Sequence, residues 1–134
     1  MLLRVLMIVL MSAGASSAQQ ADPDAGERHF RTYCWQCHGR DARGDGPMAE
    51  ILAIQPPDLT RLAVQNEGTF PTGDVATQID GRSPMLAHGG DMPLFGPSLD
   101  SNEMIALRLP NGQTMLASRP LADLVVFLET LQTE

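Results

Sequence analysis

The chain has 134 residues, and its 16 acidic side chains outnumber 9 basic ones, all of them arginine, for a formal net charge of −7. This length allows one domain at most, and an acidic chain without clustered Lys or Arg argues against nucleic acid as a partner, because phosphate binding needs such clusters. Aromatic residues are few, whereas 12 Gly and 10 Pro break regular structure, so we expect a small core rich in loops.

Residues 1–18 are typical of a secretory signal peptide. Arg4 ends a short positive leader, Val5–Met11 is entirely apolar, and Ser16 and Ala18 supply small residues at the −3 and −1 positions of a cleavage site. The apolar stretch is shorter than the about 17 residues of a spanning helix, which disfavours the alternative of an uncleaved membrane anchor. Cleavage at this site leaves a mature chain of charge −8, and export is expected in either case.

A short helix is predicted over Asp24–Tyr33, running into Cys34. It has an acidic first residue, as helix starts favour. One face at helical spacing is formed by Ala25, Gly26, Phe30 and Tyr33.

The middle of the chain has weaker patterns. Pro47–Ala53 predicts a second helix, because Pro suits a first turn and three apolar residues follow at helical spacing, and Pro56–Pro57 stops it. Residues 65–100 hold many Gly, Pro and Asp with little periodicity. There we expect an ordered segment built of turns, and the pattern does not favour strands.

Two further helices are predicted toward the C-terminus. Ser101–Leu109 begins with a possible cap, contains four apolar residues and is ended by Pro110. Leu121–Leu131 follows Pro120 and has the clearest helical pattern of the chain, with i, i+3, i+4, i+7 spacing of Leu121, Leu124, Val125, Leu128 and Leu131.

The chemistry of the chain is concentrated in the segment Cys34-Trp35-Gln36-Cys37-His38, which contains its only two cysteines. Two cysteines separated by two residues and followed at once by histidine form the attachment pattern of a c-type haem. The two thiols, about one helical turn apart, reach the two vinyl groups on one porphyrin edge, and the next residue places its imidazole under the iron. A covalent haem also supplies the large apolar body that a chain with few aromatics lacks.

Three other interpretations of the cysteine pair are weaker. A disulfide between residues so close in sequence closes almost no loop and stabilises little. A thioredoxin-like pair would follow a strand, and none is predicted before Cys34. Zinc needs four ligands, and the remaining candidates His29 and His88 lack finger spacing.

With this motif the sequence resembles the class I c-type cytochromes, and the resemblance covers most of the mature chain, residues 19–134. Gly26 and Phe30 match the small residue and the aromatic that precede the attachment site in the family's first helix. Phe127 lies where the family places the aromatic at the crossing of its first and last helices. The resemblance implies an all-α cytochrome c fold, with short helices and ordered loops wrapped around one covalently attached haem.

The same resemblance implies the haem contacts. Residues 39–47 and 56–60 resemble the haem-crevice loops of small bacterial members, with Pro57 as the carbonyl acceptor for the ring N–H of His38. In this interpretation His38 is the proximal iron ligand, and the covalent attachment is made by Cys34 and Cys37.

The second axial ligand has to come from the rest of the chain. We predict Met92, because it lies between Gly89–Asp91 and a proline, and residues 87–96 are similar to the family's ligand loop. Met85 and His88 are the alternative ligands. Core filling is the role predicted for the other methionines of the mature chain, which are Met48, Met104 and Met115.

Three other side chains have predicted roles beside the haem or on the surface. His88, if it is not a ligand, is expected to hydrogen-bond within its loop or to contact a haem propionate. His29 is expected on the surface of the first helix. Arg82 is either a propionate partner, through guanidinium–carboxylate pairing, or an ordinary solvated arginine.

The function implied is that of a periplasmic single-electron carrier in a respiratory or oxidative chain, with His38 and Met92 as axial ligands. It is not expected to be an enzyme, and it needs no catalytic acid or base. The alternatives are a cytochrome c subunit of a dehydrogenase or oxidase complex and, less favoured, a haem enzyme with an open sixth position.

The expected partners are a redox protein donor and acceptor, with no nucleic acid, no membrane span in the mature chain, and a monomer or a subunit of a redox complex as the assembly. Relatives with positive faces use lysines around the haem edge, but this chain has no Lys. We therefore expect the partner to present a basic or largely apolar surface near Trp35.

Overall fold

The structure is a computed structural model that describes residues 20–82 and 91–133. The signal peptide predicted for residues 1–18 lies outside these ranges. The described part is mostly helical, and among its residues no helix is both long and apolar enough to cross a membrane. In chain order the helices and strands are α1 (Pro23–Tyr33), α2 (Trp35–His38), α3 (Leu62–Gln65), α4 (Thr72–Asp80), β1 (Met104–Arg108), β2 (Thr114–Ser118) and α5 (Arg119–Thr130). Short 3₁₀ helices cover Ala49–Ile51, Leu59–Arg61 and Gly96–Leu99.

The two helices predicted at the ends of the mature chain are confirmed as α1 and α5. The side chain of Asp22 caps α1 by accepting a hydrogen bond from the backbone N–H of Asp24 at 3.0 Å, and Pro23 occupies the first turn. Pro120 likewise lies in the first turn of α5. Apolar residues spaced by three and four then place one face of each helix in the core.

The core is centred on the crossing of α1 and α5. The helices approach so closely at Gly26 that a Cβ there would lie 2.6 Å from Cβ of Phe127 and 2.6 Å from the carbonyl carbon of Asp123. Beside this contact the ring centroids of Phe30 and Phe127 are 5.6 Å apart. The family resemblance implied this meeting of a glycine and two aromatic rings, and the structure contains it.

A buried carboxylate fastens the same crossing. Asp123 of α5 is 3% exposed, and its Oδ1 accepts a hydrogen bond from the backbone N–H of Asp22 at 2.8 Å. Because Asp22 caps α1, this bond ties the first turn of one helix to the middle of the other. The acceptor is buried and charged, and hydrogen bonds to charged groups are stronger than those between neutral groups.

The helix predicted over Ser101–Leu109 is wrong, because the structure has a β-hairpin there. Strands β1 and β2 pair antiparallel, with Met104 opposite Ser118 and Arg108 opposite Thr114. Along β1 exposed and buried residues alternate strictly, which is the period of a strand and not of a helix. The hydroxyl of Ser101 accepts a hydrogen bond from the N–H of Glu103 at 3.0 Å, so it closes a turn and caps no helix.

Two predictions for the middle of the chain also need correction. The helix over Pro47–Ala53 shrinks to the 3₁₀ helix Ala49–Ile51, because its apolar residues find no core to cover and Ile51 is 74% exposed. Within residues 65–100, predicted as turns, the regular helix α4 buries Ala76 and Ile79. Its weak helix formers, Thr, Asp and Gly, concealed the pattern.

The core-filling role predicted for three methionines holds for one of them. Met115 is partly buried and packs against the core. Met48 and Met104 are instead 38% and 49% exposed, since they lie on a loop and on the outer face of the hairpin.

We expect Gly26→Ala to lower the free energy of unfolding by about 1–3 kcal/mol, because the added methyl group forces α1 and α5 apart. Gly73→Ala is the matched control. A Cβ at this helical glycine meets Leu109 Cδ2 at 3.3 Å, the end of a flexible side chain, and alanine favours the helix by up to about 1 kcal/mol. Urea unfolding of the haem-loaded protein measures both effects, and equal stabilities for the two variants would contradict this account of the crossing.

Candidate functional site

The attachment motif begins where α1 ends. The N–H of Cys34 donates to the carbonyl of Phe30 at 2.9 Å, and the carbonyl of Cys34 accepts from the N–H groups of Cys37 at 3.1 Å and His38 at 2.9 Å. These bonds hold the two cysteines and the histidine in one short helical path. Cys34 is buried, Cys37 is partly buried, and both are free thiols, so the structure does not contain the disulfide considered as an alternative.

The environment of Cys34 does not suit a reactive thiolate. Burial, followed by the charge of the neighbouring Cys37, raises the pKa of Cys34 to about 12. Redox-active cysteine pairs need a lowered pKa, because the thiolate is the nucleophile. A thioredoxin-like role is therefore disfavoured, whereas two free thiols at the start of a helical turn fit covalent attachment of haem.

His38 is buried at the end of α2. Burial lowers the pKa of its imidazole, and the backbone carbonyl of Pro57 opposes this effect. The ring nitrogen Nδ1 is fully buried, yet no acceptor among the described residues meets hydrogen-bond geometry with it. The carbonyl of Pro57 thus lies beside the ring as expected, although the contact falls short of full hydrogen-bond geometry. The buried ring fits an iron ligand whose second nitrogen is oriented by a carbonyl acceptor.

The loop that follows the motif folds back onto it. Three of its N–H groups satisfy carbonyls at the end of α2, which a helix leaves without intrahelical partners. The bonds run from Gly44 to His38 at 2.8 Å, from Gly46 to Cys37 at 3.1 Å and from Met48 to Gln36 at 2.9 Å. The motif is therefore held by backbone hydrogen bonds on both sides, from α1 before it and from this loop after it.

The segment carrying Pro57 is placed by its neighbours. The N–H of Leu59 donates to the carbonyl of Ala42 at 2.8 Å. The Oδ1 atom of Asp58 accepts hydrogen bonds from Thr60, at 2.9 Å from its N–H and at 2.7 Å from its hydroxyl. These two bonds, with smaller contributions from Arg43 and Arg61, lower the pKa of Asp58.

The C-terminal residues fasten the same segment from the other side. The side-chain oxygen of Gln132 accepts from the N–H of Ala63 at 2.9 Å, and its amide nitrogen donates to the carbonyl of Leu59 at 2.8 Å. The N–H of Thr133 donates to the carbonyl of Thr60 at 2.9 Å. The residues after α5 are therefore joined to the segment beside His38 by three hydrogen bonds.

Met92 is partly buried and packs against the core cluster that contains Cys34. Three residues later, the ring centroid of Phe95 lies 6.0 Å from that of Tyr33, at the end of α1. The segment that follows Met92 thus reaches the helix end from which the attachment motif starts. The alternative ligands Met85 and His88 lie outside the described residues.

The remaining predicted contacts differ in outcome. His29 is partly exposed on α1, in keeping with a surface position. Arg82 is half exposed and is paired with Asp80 and Asp100, at 2.6 and 3.0 Å, and its propionate role stays a prediction. Among the described residues no group of three or more His, Cys, Asp or Glu could hold a separate metal ion.

The surface at Trp35 carries local positive charge. The guanidinium of Arg40 lies 5.2 Å from the centroid of the Trp35 ring. An open hollow of about 210 Å³ is lined by Arg31, Trp35 and Arg40. Arg31 is paired with Glu27 at 2.6 Å, whereas Arg40 has no ion-pair partner within the part of the chain described. The basic or apolar partner surface expected near Trp35 stays a prediction.

The fold and the site together define a small, mostly helical protein with a Cys-x-x-Cys-His segment at the end of its first helix. The family model described as Cytochrome c matches residues 23–132, which include the attachment motif and both terminal helices. The chain belongs to the cytochrome c family, which confirms the predicted fold class and makes the protein a haem-binding member of a family of electron carriers. No curated protein and no solved structure matches the chain.

Sequence reasoning missed two contacts that shape the site. The two bonds that Thr60 donates to Asp58 have a sequence signal, because an Asp two residues before a Thr, after a double proline, is an Asx-turn pattern. The Tyr33–Phe95 pair had no comparable signal, because nothing in the sequence relates two rings so far apart.

Asp58→Ala is expected to lower the free energy of unfolding by about 1 kcal/mol at neutral pH, as for loss of a capping carboxylate. The folded pKa of Asp58 lies below its ordinary value of 3.8. Its stabilising contribution is therefore present above that value and lost as the pH falls through the lowered pKa. Urea unfolding of the haem-loaded protein at about pH 7 and about pH 3 should show a difference from wild type that shrinks on acidification.

Asp41→Ala serves as the control for this experiment. Asp41 is exposed in the neighbouring loop and makes no hydrogen bond or ion pair with the described residues. A loss of stability in Asp58→Ala that is the same at both pH values would show that the ionised carboxylate is not its cause.

Proposed function

We propose that this chain is a class I cytochrome c, a mono-haem carrier of single electrons. Cys34 and Cys37 attach the haem through two thioether bonds, His38 is the proximal ligand and Met92 the distal ligand. The bound haem supplies a reversible one-electron change at its iron. The observation that carries the proposal is the pair of free thiols held about one helical turn apart, directly before a buried imidazole.

The protein's part in electron transfer is to hold two ligands and exclude water. The backbone bonds on both sides of α2 keep His38 in place, and the packing of Met92 against the core supports its role as the second ligand. With both axial positions filled by side chains the iron has no position for a substrate, so the protein is a carrier and not an enzyme. Methionine as the second ligand raises the reduction potential.

The proposal includes export and a redox partner. Residues 1–18 form the signal peptide, and the mature chain works in the periplasm, where it meets an electron donor and an acceptor. The Trp35 ring and the adjoining cationic Arg40 favour a partner surface that is apolar with acidic groups at its rim. A permanent subunit of a larger redox complex would have the same ligands.

Covalent attachment is tested with Cys34→Ser/Cys37→Ser, produced in cells competent for c-haem maturation. We expect the haem to stay with wild-type protein during acid–acetone extraction and denaturing electrophoresis, and to be lost completely from the double variant, because no thioether bond remains. Haem that resists extraction in the double variant would contradict the assignment of these two residues.

Met92→Ala tests the distal ligand. We expect the variant to lose the methionine-to-iron absorption band of the oxidised protein and to bind carbon monoxide when reduced, because the sixth position opens. Met48→Ala and Met104→Ala are matched controls, since both side chains are substantially exposed, and both variants should keep the band. A wild-type protein that lacks the band and binds carbon monoxide readily would favour an open-site haem enzyme instead.

A further inference from the structure

Several charged contacts meet at Arg82. Its Nε and one terminal nitrogen donate to Oδ1 of Asp80, at 3.0 and 2.6 Å, and the other terminal nitrogen donates to Oδ2 of Asp100 at 3.1 Å. The backbone N–H of Arg82 also donates to Oδ2 of Asp80 at 3.3 Å. One guanidinium thus joins a nearby carboxylate to another that is 18 residues further along the chain.

These three residues, Asp80, Arg82 and Asp100, form what we call the Arg82 clasp. Asp80 is the last residue of α4, and Asp100 directly follows the 3₁₀ helix Gly96–Leu99. The clasp therefore connects the end of α4 to the segment that comes after Met92. A backbone bond supports it, because the N–H of Phe95 donates to the carbonyl of Ile79 at 3.2 Å.

Gly96 packs closely against the clasp, whose other side faces an open hollow. A Cβ added to Gly96 would lie 2.5 Å from Oδ1 of Asp80 and 2.7 Å from Nε of Arg82. The side chain of Arg82 is 49% exposed, and ion pairs at such exposure contribute little to global stability. The effect of the clasp is local, because it holds the end of α4 and the segment after Met92 at a fixed distance from each other.

Met92 lies on one of these two segments. The clasp and the Phe95–Ile79 bond fix the chain that follows Met92, and the ring of Phe95 packs on Tyr33, the residue before Cys34. The described contacts thus run without a break from the clasp to the attachment motif. A change at the clasp alters the separation between the Met92 segment and α4 before it alters the core.

We propose that Arg82 is a positioning residue for the distal ligand: the clasp holds the Met92 segment so that the thioether stays on the iron. This inference rests on the ligation by Met92 proposed above. It differs from the two roles predicted from sequence, because three of the five guanidinium N–H groups already donate to Asp80 and Asp100.

The test is the rate at which carbon monoxide binds to the reduced, haem-loaded protein, because the gas enters only after Met92 leaves the iron. Arg82→Ala is expected to raise this rate about five- to tenfold. Arg82→Lys should raise it less, since lysine keeps the charge and loses the fork of donors. Asp100→Asn should raise it as well, and combined with Arg82→Ala it should add little, because both changes break the same contact.

Arg119→Ala is the matched control. It removes a comparable pair, in which Arg119 donates to Glu103 at 2.8 Å and joins the start of α5 to the residue before β1. We expect this variant to be less stable to urea and to bind carbon monoxide at the wild-type rate. A rate increase in Arg119→Ala as large as that in Arg82→Ala would mean that general destabilisation opens the iron, and would overturn the clasp.

The two proposals fail in different ways. If wild type lacks the methionine-to-iron band and binds carbon monoxide as fast as Met92→Ala, the ligation and the clasp are both overturned. If wild type has the band and resists carbon monoxide, while Arg82→Ala and Asp100→Asn do the same, the ligation stands and the clasp is wrong. Should Arg82→Ala not fold, Arg82→Lys and Asp100→Asn decide the matter in the same assay.

Discussion

The close crossing of α1 and α5 is the contact on which the rest of the structure depends. It is possible because Gly26 has no side chain, so that the backbone of α5 at Asp123 and the side chain of Phe127 touch α1 directly. The axis of α1 then sets the position of Cys34, which is the first residue of the attachment motif. The far end of α5 fastens the segment beside His38 through Gln132. One helix pair therefore places both sides of the proximal half of the site.

The residues of the attachment motif are held in place by backbone hydrogen bonds. Carbonyls at the end of α2 accept bonds from the loop after it, and Pro57 is placed through the bond between Leu59 and Ala42. Such a site needs few particular side chains beyond its two cysteines and one histidine. The segment that contains Met92 is held by side chains instead, through the aromatic contact of Phe95 and the charged contacts of Arg82.

The sequence predicted the parts of this arrangement that have a local signature. The attachment motif has fixed spacing, and α1 and α5 have capping or proline starts and a 3.6-residue period, so all three were identified. The helix predicted over Ser101–Leu109 is wrong because that prediction rests on the number of apolar residues and ignores their spacing. Ile105 and Leu107 are spaced by two, and Asn111-Gly112 is a strong hairpin turn signal. Contacts between distant residues, such as Tyr33 with Phe95 or Arg82 with Asp100, have no local pattern and needed the structure.

The β-hairpin has a geometric property that bears on how this chain tolerates change. Since Met104 lies opposite Ser118, the path enters and leaves the hairpin at neighbouring points. The hydroxyl of Ser118 donates to the carbonyl of Leu99 at 2.7 Å, and the N–H of Arg119 donates to the carbonyl of Glu103 at 2.8 Å. Both ends of the hairpin are thus hydrogen-bonded to the rest of the protein, and the chain leaves the hairpin close to the point where it entered. Insertions or deletions at the tip of the hairpin would leave the start of α5 in place. The length of the hairpin can therefore change without moving the helices that hold the haem.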